Sequence, residues 1–259
     1  FSLALSILGT NLVATYNFLF LVSFALSAFT MFVLARYFVD DTVFSFLAGI
    51  VYSFNSMHFV HGLGHLSHII AMIWVPMYVL YLFRTFKENR LRNPICASVY
   101  MYLIFLSSPY FAIFSLLFGA ILMAYYLLLE KETLVAGWLS RLLMLLCGFL
   151  ALSAPLGTAM LHELRSGSYA QLGLEGTIAY SADLLAFVIP STLHPILGQT
   201  VSPIYKLFTG NYIEATVFLG YTVIVIAIYS TLRDFQRLRF WVLSAGLFLV
   251  LSLGPIPHI

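Results

Sequence analysis

The sequence predicts an all-α fold: a polytopic bundle of about eight transmembrane helices, with an external region that carries short interfacial helices. Three observations predict it. First, 62% of the 259 residues are hydrophobic and 8% are charged, against roughly 25% charged in a soluble domain. A chain this poor in polar groups cannot cover its own surface in water, so lipid must solvate most of it. Second, apolar runs recur along the whole length at about the 20-residue scale of a bilayer crossing. Third, the turns between these runs alternate between rich and poor in Lys and Arg.

In chain order, the first span is expected over Thr15–Phe38 and the second over Thr42–Phe54, with Asp40 and Asp41 before it as helix caps. The third follows over Leu66–Phe86, the fourth over Pro94–Ser107 and the fifth over Tyr110–Leu129. The sixth covers Leu134–Ala154, the seventh Glu214–Leu232 and the eighth Phe240–Leu253. The second and fourth fall short of the roughly 17 residues usually needed to cross, and Asn55–His61 extend the second. Residues 1–12, "FSLALSILGTNL", suit an interfacial helix. The chain opens on Phe1 without a charged leader and closes as a span ends, and is read as an internal piece of a longer polytopic protein. Residues 1–259 are taken as one transmembrane domain.

Lys and Arg set the orientation, because cytoplasmic turns collect them. With the end of the first span inside, the cytoplasmic turns hold Arg36, Arg84, Lys87, Arg90, Arg92, Lys131, Arg233, Arg237 and Arg239. The opposite face holds Arg165 and Lys206. Arg141 lies inside the sixth span, near enough to the cytoplasmic end to snorkel. A net charge of +2 gives no reason to expect nucleic acid. Cys96 and Cys147 fall in apolar runs and read as packing residues, with a disulfide left open.

This orientation puts two polar regions on the external face. Residues 155–213 form a lid-like segment with His162, Glu163, Arg165, Glu175, Tyr180, Asp183, His194, Lys206 and Tyr212, and Glu214 follows at the mouth of the next span. "ADLLAFVIP" (Ala182–Pro190) and "SPIYKLF" (Ser202–Phe208) are its candidate surface helices. Asp183 is either a helix cap or an acid–base group. Glu214 is either an interfacial residue or a second acid.

The other region is "SMHFVHGLGHLSH", with His58, His61, His65 and His68. On a single helix turning about 100° per residue, these four imidazoles share an arc of about 80°, suited to a metal or an anion. Gly62 and Gly64 oppose that reading. Each mid-helix glycine costs about 1 kcal/mol relative to alanine, so a break is expected. The stretch is then a metal site, a substrate-facing loop or a set of interfacial histidines. His65 is preferred as functional, because Gly64 beside it lets a ligand come close. No nucleophile elbow, P-loop, dinucleotide fingerprint or HExxH is present.

Several marks together resemble a known group. "YNFLFLVSFALSAFTMFVLARYF" (Tyr16–Phe38) carries Tyr16–Asn17. Small residues at Ala48–Gly49, then Gly64–His65, then Trp74–Pro76 follow it. "YSADLLAFVIPSTLHPILG" (Tyr180–Gly198) and "EATVFLGY" (Glu214–Tyr221) complete the pattern. It resembles bacterial and archaeal members of the GT-C glycosyltransferase superfamily, of the protein-mannosyltransferase and aminoarabinose-transferase type. The resemblance implies transfer of a sugar from a polyprenyl-phosphate donor to a glycan, lipid or protein acceptor, at the extracytoplasmic face of a prokaryotic plasma membrane. It implies an inverting displacement, with a carboxylate activating the acceptor and a cation or metal stabilising the leaving phosphate. Carried onto this sequence, Asp183 and Glu214 are the catalytic acids. His65, His61, Arg165, Tyr180 and His194 are substrate contacts, with Arg165 nearest the phosphate. No residue is assigned as a metal ligand and no cofactor is required, with a divalent metal left open. The family's usual catalytic carboxylate would precede Phe1. The alternatives are a transporter or flippase, and an assembly protein without catalysis.

Overall fold

The computed structural model describes residues 11–130, 134–167 and 173–255. All the regular elements among them are helical. They are α1 (Leu12–Phe38), α2 (Thr42–Ser53), α3 (Ser56–His61), α4 (Leu66–Lys87), α5 (Arg92–Ser107), α6 (Pro109–Leu129) and α7 (Trp138–Ser166). Then come α8 (Leu174–Ala179), a 3-10 turn (Leu184–Phe187), α9 (Gly198–Tyr205), α10 (Tyr221–Arg233) and α11 (Phe235–Ser252). Five of these, α1, α4, α6, α7 and α11, are long and apolar enough to cross a membrane. The other three expected spans are shorter. At about 1.5 Å per residue, α2 with 12 residues and α10 with 13 reach about two-thirds of a hydrocarbon core of roughly 30 Å. Most of the interfacial helix expected over residues 1–12 lies outside the described residues, as does Lys131.

The chain divides into two compact units. Unit 1 holds the described residues up to Phe54 together with His61–Arg165. Unit 2 holds Asn55–Val60 and the described residues after Arg165. Unit 1 is organised on α4, which packs against α1, α5 and α6 and buries more of its apolar window than any other candidate span, 56%. Ile69, Ala71, Phe86, Ala97, Met101, Ile104 and Leu122 form its closed core. Asn11 starts α1 by accepting from the Ala14 amide at 2.7 Å. Asp41 starts α2 by accepting from the Phe44 amide at 3.0 Å. Asp40 does not share the cap; it pairs with Arg36 at 3.3 Å.

The α1–α2 seam is built from small residues. Ser45, Gly49 and Ser53 are the buried positions of α2, four residues apart and so on one face. Ser53 Oγ donates to the Phe24 carbonyl at 2.6 Å. Small side chains let helix backbones approach closely in an apolar solvent. A Cβ added at Gly49 would lie 2.5 Å from the Ala28 carbonyl oxygen, and backbone cannot swing aside. Gly49→Leu is therefore expected to cost about 1–3 kcal/mol of overpacking, read as a lower melting temperature in detergent. An unchanged midpoint would mean that the seam opens freely.

Two boundaries differ most from the sequence reading. Helix α7 does not stop at Ala154 but continues through Pro155 to Ser166, so the first part of the expected external segment is helix. Apolar helices tolerate an internal proline when other groups satisfy the freed backbone; the group Pro155 frees is the Ala151 carbonyl, on an exposed stretch of α7. Helix α10 begins at Tyr221 rather than Glu214. The Asn211 side chain accepts from the amides of Ile213 and Glu214 at 2.9 and 3.2 Å, which bends the chain into a turn. Gly220, at φ 89°, then supplies a left-handed step that other residues rarely take.

Candidate functional site

In unit 1, three histidines converge at the start of α4. Helix α3 ends at His61 and Gly62–Gly64 form a turn, as the two glycines predict. The turn does not scatter the imidazoles. The His65 amide donates to the His61 carbonyl at 2.7 Å and the His68 amide to the His65 carbonyl at 2.9 Å. The first of these is an i to i−4 bond, so helical register passes across the break and the +4, +3 spacing still gathers the rings. Ring centroids are 5.6 Å apart for His61–His65, 5.2 Å for His61–His68 and 5.2 Å for His65–His68. Tyr16 in α1 ties the turn down, its hydroxyl donating to the Gly62 carbonyl at 2.6 Å. Tyr110 and Phe111, opening α6, stand 6.3 and 5.8 Å from the His68 ring.

The three rings are graded in exposure. His61 is 5% exposed, His68 is half-buried and His65 is open to the surface. The Nδ1 of His68 is buried and has no hydrogen-bond partner. A Cβ at Gly64 would meet open space, so the approach to His65 is clear. His58, the fourth histidine, is fully buried. His68 is the residue that the choice of His61 and His65 overlooked, and the +3 interval from His65 was the signal for it. As the side chains stand, no group of three His, Cys, Asp or Glu among the described residues has its donor atoms placed to hold a metal.

In unit 2, the candidate residues are largely engaged in building the segment itself. Asp183 precedes the 3-10 turn but does not cap it with its side chain. Its carboxylate reaches 26 residues along the chain instead. One oxygen accepts from the Thr209 amide at 3.1 Å and the Thr209 hydroxyl at 3.3 Å, and the other from the Gly210 amide at 3.1 Å. The residue is 0% exposed, so Asp183 pins two strands of loop together. His194 Nδ1 accepts from the Ile196 and Leu197 amides at 3.2 and 3.1 Å, which fixes its proton on Nε2 and shapes the turn before α9. Glu214 sits half-buried in the Asn211 turn. Tyr180 is 60% exposed. Arg165 is exposed in the last turn of α7, within unit 1. The two expected surface helices are present in altered form: "ADLLAFVIP" makes only the 3-10 turn, and α9 starts four residues before Ser202.

Tyr205 closes this segment, its hydroxyl placed to donate to the Ala215 carbonyl at 3.1 Å and the Ile189 carbonyl at 3.3 Å. Burial first, and the Asp183 carboxylate second, push its phenol up from 10.0 to about 12. A raised phenol favours the folded state below the unfolded value, and that preference is lost as pH rises through the folded value. Unit 2 is therefore expected to lose stability between pH 10 and about 12. Tyr205→Phe should flatten this alkaline limb in a pH series of melting curves.

No protein-family model, curated protein or solved structure matches this chain.

Proposed function

We propose that this chain belongs to a membrane-embedded glycosyltransferase that takes a sugar from a polyprenyl-phosphate donor at the extracytoplasmic face. The observation that carries the proposal is the polarity of α4. Its N-terminal end gathers His61, His65 and His68, its last turn holds Arg84 and Lys87, and the stretch between is apolar. Imidazoles gathered at one end of the helix can bind and exchange protons with a phosphate-linked head group, and the basic end marks the cytoplasm. A transporter path would instead place ionisable groups near mid-membrane. In this reading α2, α5 and α10 insert as well, giving the eight-helix bundle. His65 and His61 meet the donor head group, Glu214 serves as the base that takes the proton of the acceptor hydroxyl, and Asp183 serves the loop. Arg165, Tyr180 and His194 remain substrate contacts.

Two experiments test this. Cysteines placed singly at His65 and at Glu88, about 35 Å apart at the α-helical rise, should react with impermeant reagent from opposite sides. Reaction from one side would overturn the orientation. Membrane vesicles containing the protein should then be given a polyprenyl-phosphate sugar labelled in the sugar. The expected result is release of polyprenyl phosphate with label on an acceptor, reduced by His65→Ala. Labelled donor that crosses the bilayer with its glycosidic bond intact would establish transport instead.

A further inference from the structure

We infer that the α10–α11 hairpin of unit 2 binds one anionic phospholipid, with an acyl chain in the groove between the helices and the phosphate on Arg233 and Arg237. The groove measures about 540 Å³, and its walls include Ala227, Ser230 and Thr231 of α10 and Leu238, Trp241 and Ala245 of α11. That size lies within the range of about 300–1,000 Å³ usual for small-molecule sites. The sequence explains the opening. Alanines face it from both helices, so the helices meet without interlocking, and no residue of α10 is buried. Apart from the Ser230 and Thr231 hydroxyls and the Trp241 indole, the lining is aliphatic and suits a hydrocarbon chain.

Charge gathers at one end of this groove. Arg233 follows the lining residue Leu232, and Arg237 precedes the lining residue Leu238. Both arginines are exposed, and neither is in an ion pair among the described residues. Arg233 Nη1 donates to the Tyr229 hydroxyl at 2.8 Å, and the guanidinium lies 6.0 Å from the centre of that ring. This contact holds the side chain and leaves most of its five N–H donors for a ligand. Asp234, the acid between the two arginines, starts α11 by accepting from the Arg237 amide at 3.3 Å. The turn therefore carries two cations against one acid, and Arg239 adds a third cation. An arginine fork matches the oxygens of a phosphate, and basic pockets between helix ends take anionic lipid head groups. A zwitterionic lipid leaves the excess cation unmatched, and a free phosphate leaves the groove empty. A second copy of the hairpin would bring like charge to like charge. An anionic amphiphile engages both the groove and the arginines. The inference depends neither on sugar transfer nor on the leaflet that this end occupies.

The full chain, delipidated in detergent, is titrated with phosphatidylglycerol or phosphatidylcholine, and bound lipid per chain is counted by native mass spectrometry. One phosphatidylglycerol is expected, held at least about tenfold more tightly than phosphatidylcholine. Glycerol phosphate, which lacks the chains, should not be retained. A basic residue at an anionic lipid surface contributes about fivefold, so Arg233→Gln with Arg237→Gln is expected to weaken binding about 25-fold. Arg233→Lys with Arg237→Lys keeps the charge and should bind within about fivefold of wild type, which guards against a defect of folding. Ala245→Trp fills the groove from an exposed position and should lose the lipid with both arginines intact. Arg90→Gln with Arg92→Gln, at two exposed arginines beside the start of α5, should bind as wild type does. Equal retention of the two lipids, retention that survives the paired Gln variant or Ala245→Trp, equal loss on changing Arg90 and Arg92, or a chain that dimerises through this groove in place of binding lipid would each overturn the inference.

Discussion

Asp183→Ala is expected to be among the most damaging single substitutions in unit 2, lowering its stability by about 2–5 kcal/mol, because three buried donors lose a charged acceptor. The carboxylate is fully buried and satisfies the Thr209 amide, the Thr209 hydroxyl and the Gly210 amide. Alanine leaves all three donors facing a void. Each hydrogen bond to a charged acceptor contributes about 1.5–3 kcal/mol, and the bonds act as one unit because they close a single loop. Gly210 has no slack to compensate: a Cβ built there lies 2.4 Å from the Ser181 carbonyl oxygen. Asp183→Asn should recover part of the loss, since its amide oxygen still accepts while its NH2 faces a donor. Melting in detergent and proteolysis after Lys206 give the readout. If Asp183→Ala melts like wild type but abolishes sugar transfer, Asp183 is a base and the structural role is wrong.

This result bears on what the sequence made legible. The helices could be read because their signal is bulk: runs of Phe, Leu, Ile and Val long enough for a bilayer need no partner to be recognised. Helix α4 was expected over Leu66–Phe86 and is Leu66–Lys87. Ends set by a single residue were less legible. Nothing local says that Pro155 is tolerated within α7, or that the Asn211 side chain will bend Ile213 and Glu214 away from α10. The fate of Asp183 is a tertiary fact, decided by amides 26 residues away, and no spacing rule reaches that far.

The histidines show a different limit. Both the +4, +3 spacing and the glycine break were visible, and they looked like contradictory signals. They are compatible because one backbone hydrogen bond, from the His65 amide to the His61 carbonyl, carries the helical turn across Gly62–Gly64. A break in a helix is a change in dihedrals and does not by itself lose the register of the side chains around it.

Arg141→Ala should have an equally large effect in unit 1, again about 2–5 kcal/mol, because three acceptors lose a charged donor. The sequence places this cation inside an apolar run, where snorkelling to the cytoplasmic surface is the ordinary outcome. It does not snorkel. Arg141 is 4% exposed. Its Nε donates to the Thr85 carbonyl at 3.2 Å and its two terminal nitrogens to Asn89 Oδ1 at 2.7 Å and the Ala136 carbonyl at 3.0 Å. One planar fork thus joins the last turn of α4, the α4–α5 turn and the entry to α7. The Val135 amide, donating to the Phe86 carbonyl at 3.2 Å, docks the same turn on the same helix end. Lysine carries its three donors on one nitrogen and cannot reach three acceptors spread in a plane, so Arg141→Lys should restore only a minor part of the loss. The measurement is a set of melting curves for wild type, Arg141→Ala and Arg141→Lys in one detergent, with trypsin cleavage after Lys131 followed in parallel. A snorkelling arginine predicts three nearly superimposed curves. A guanidinium that locks this end of unit 1 predicts an early transition for both variants, with cleavage after Lys131 appearing first.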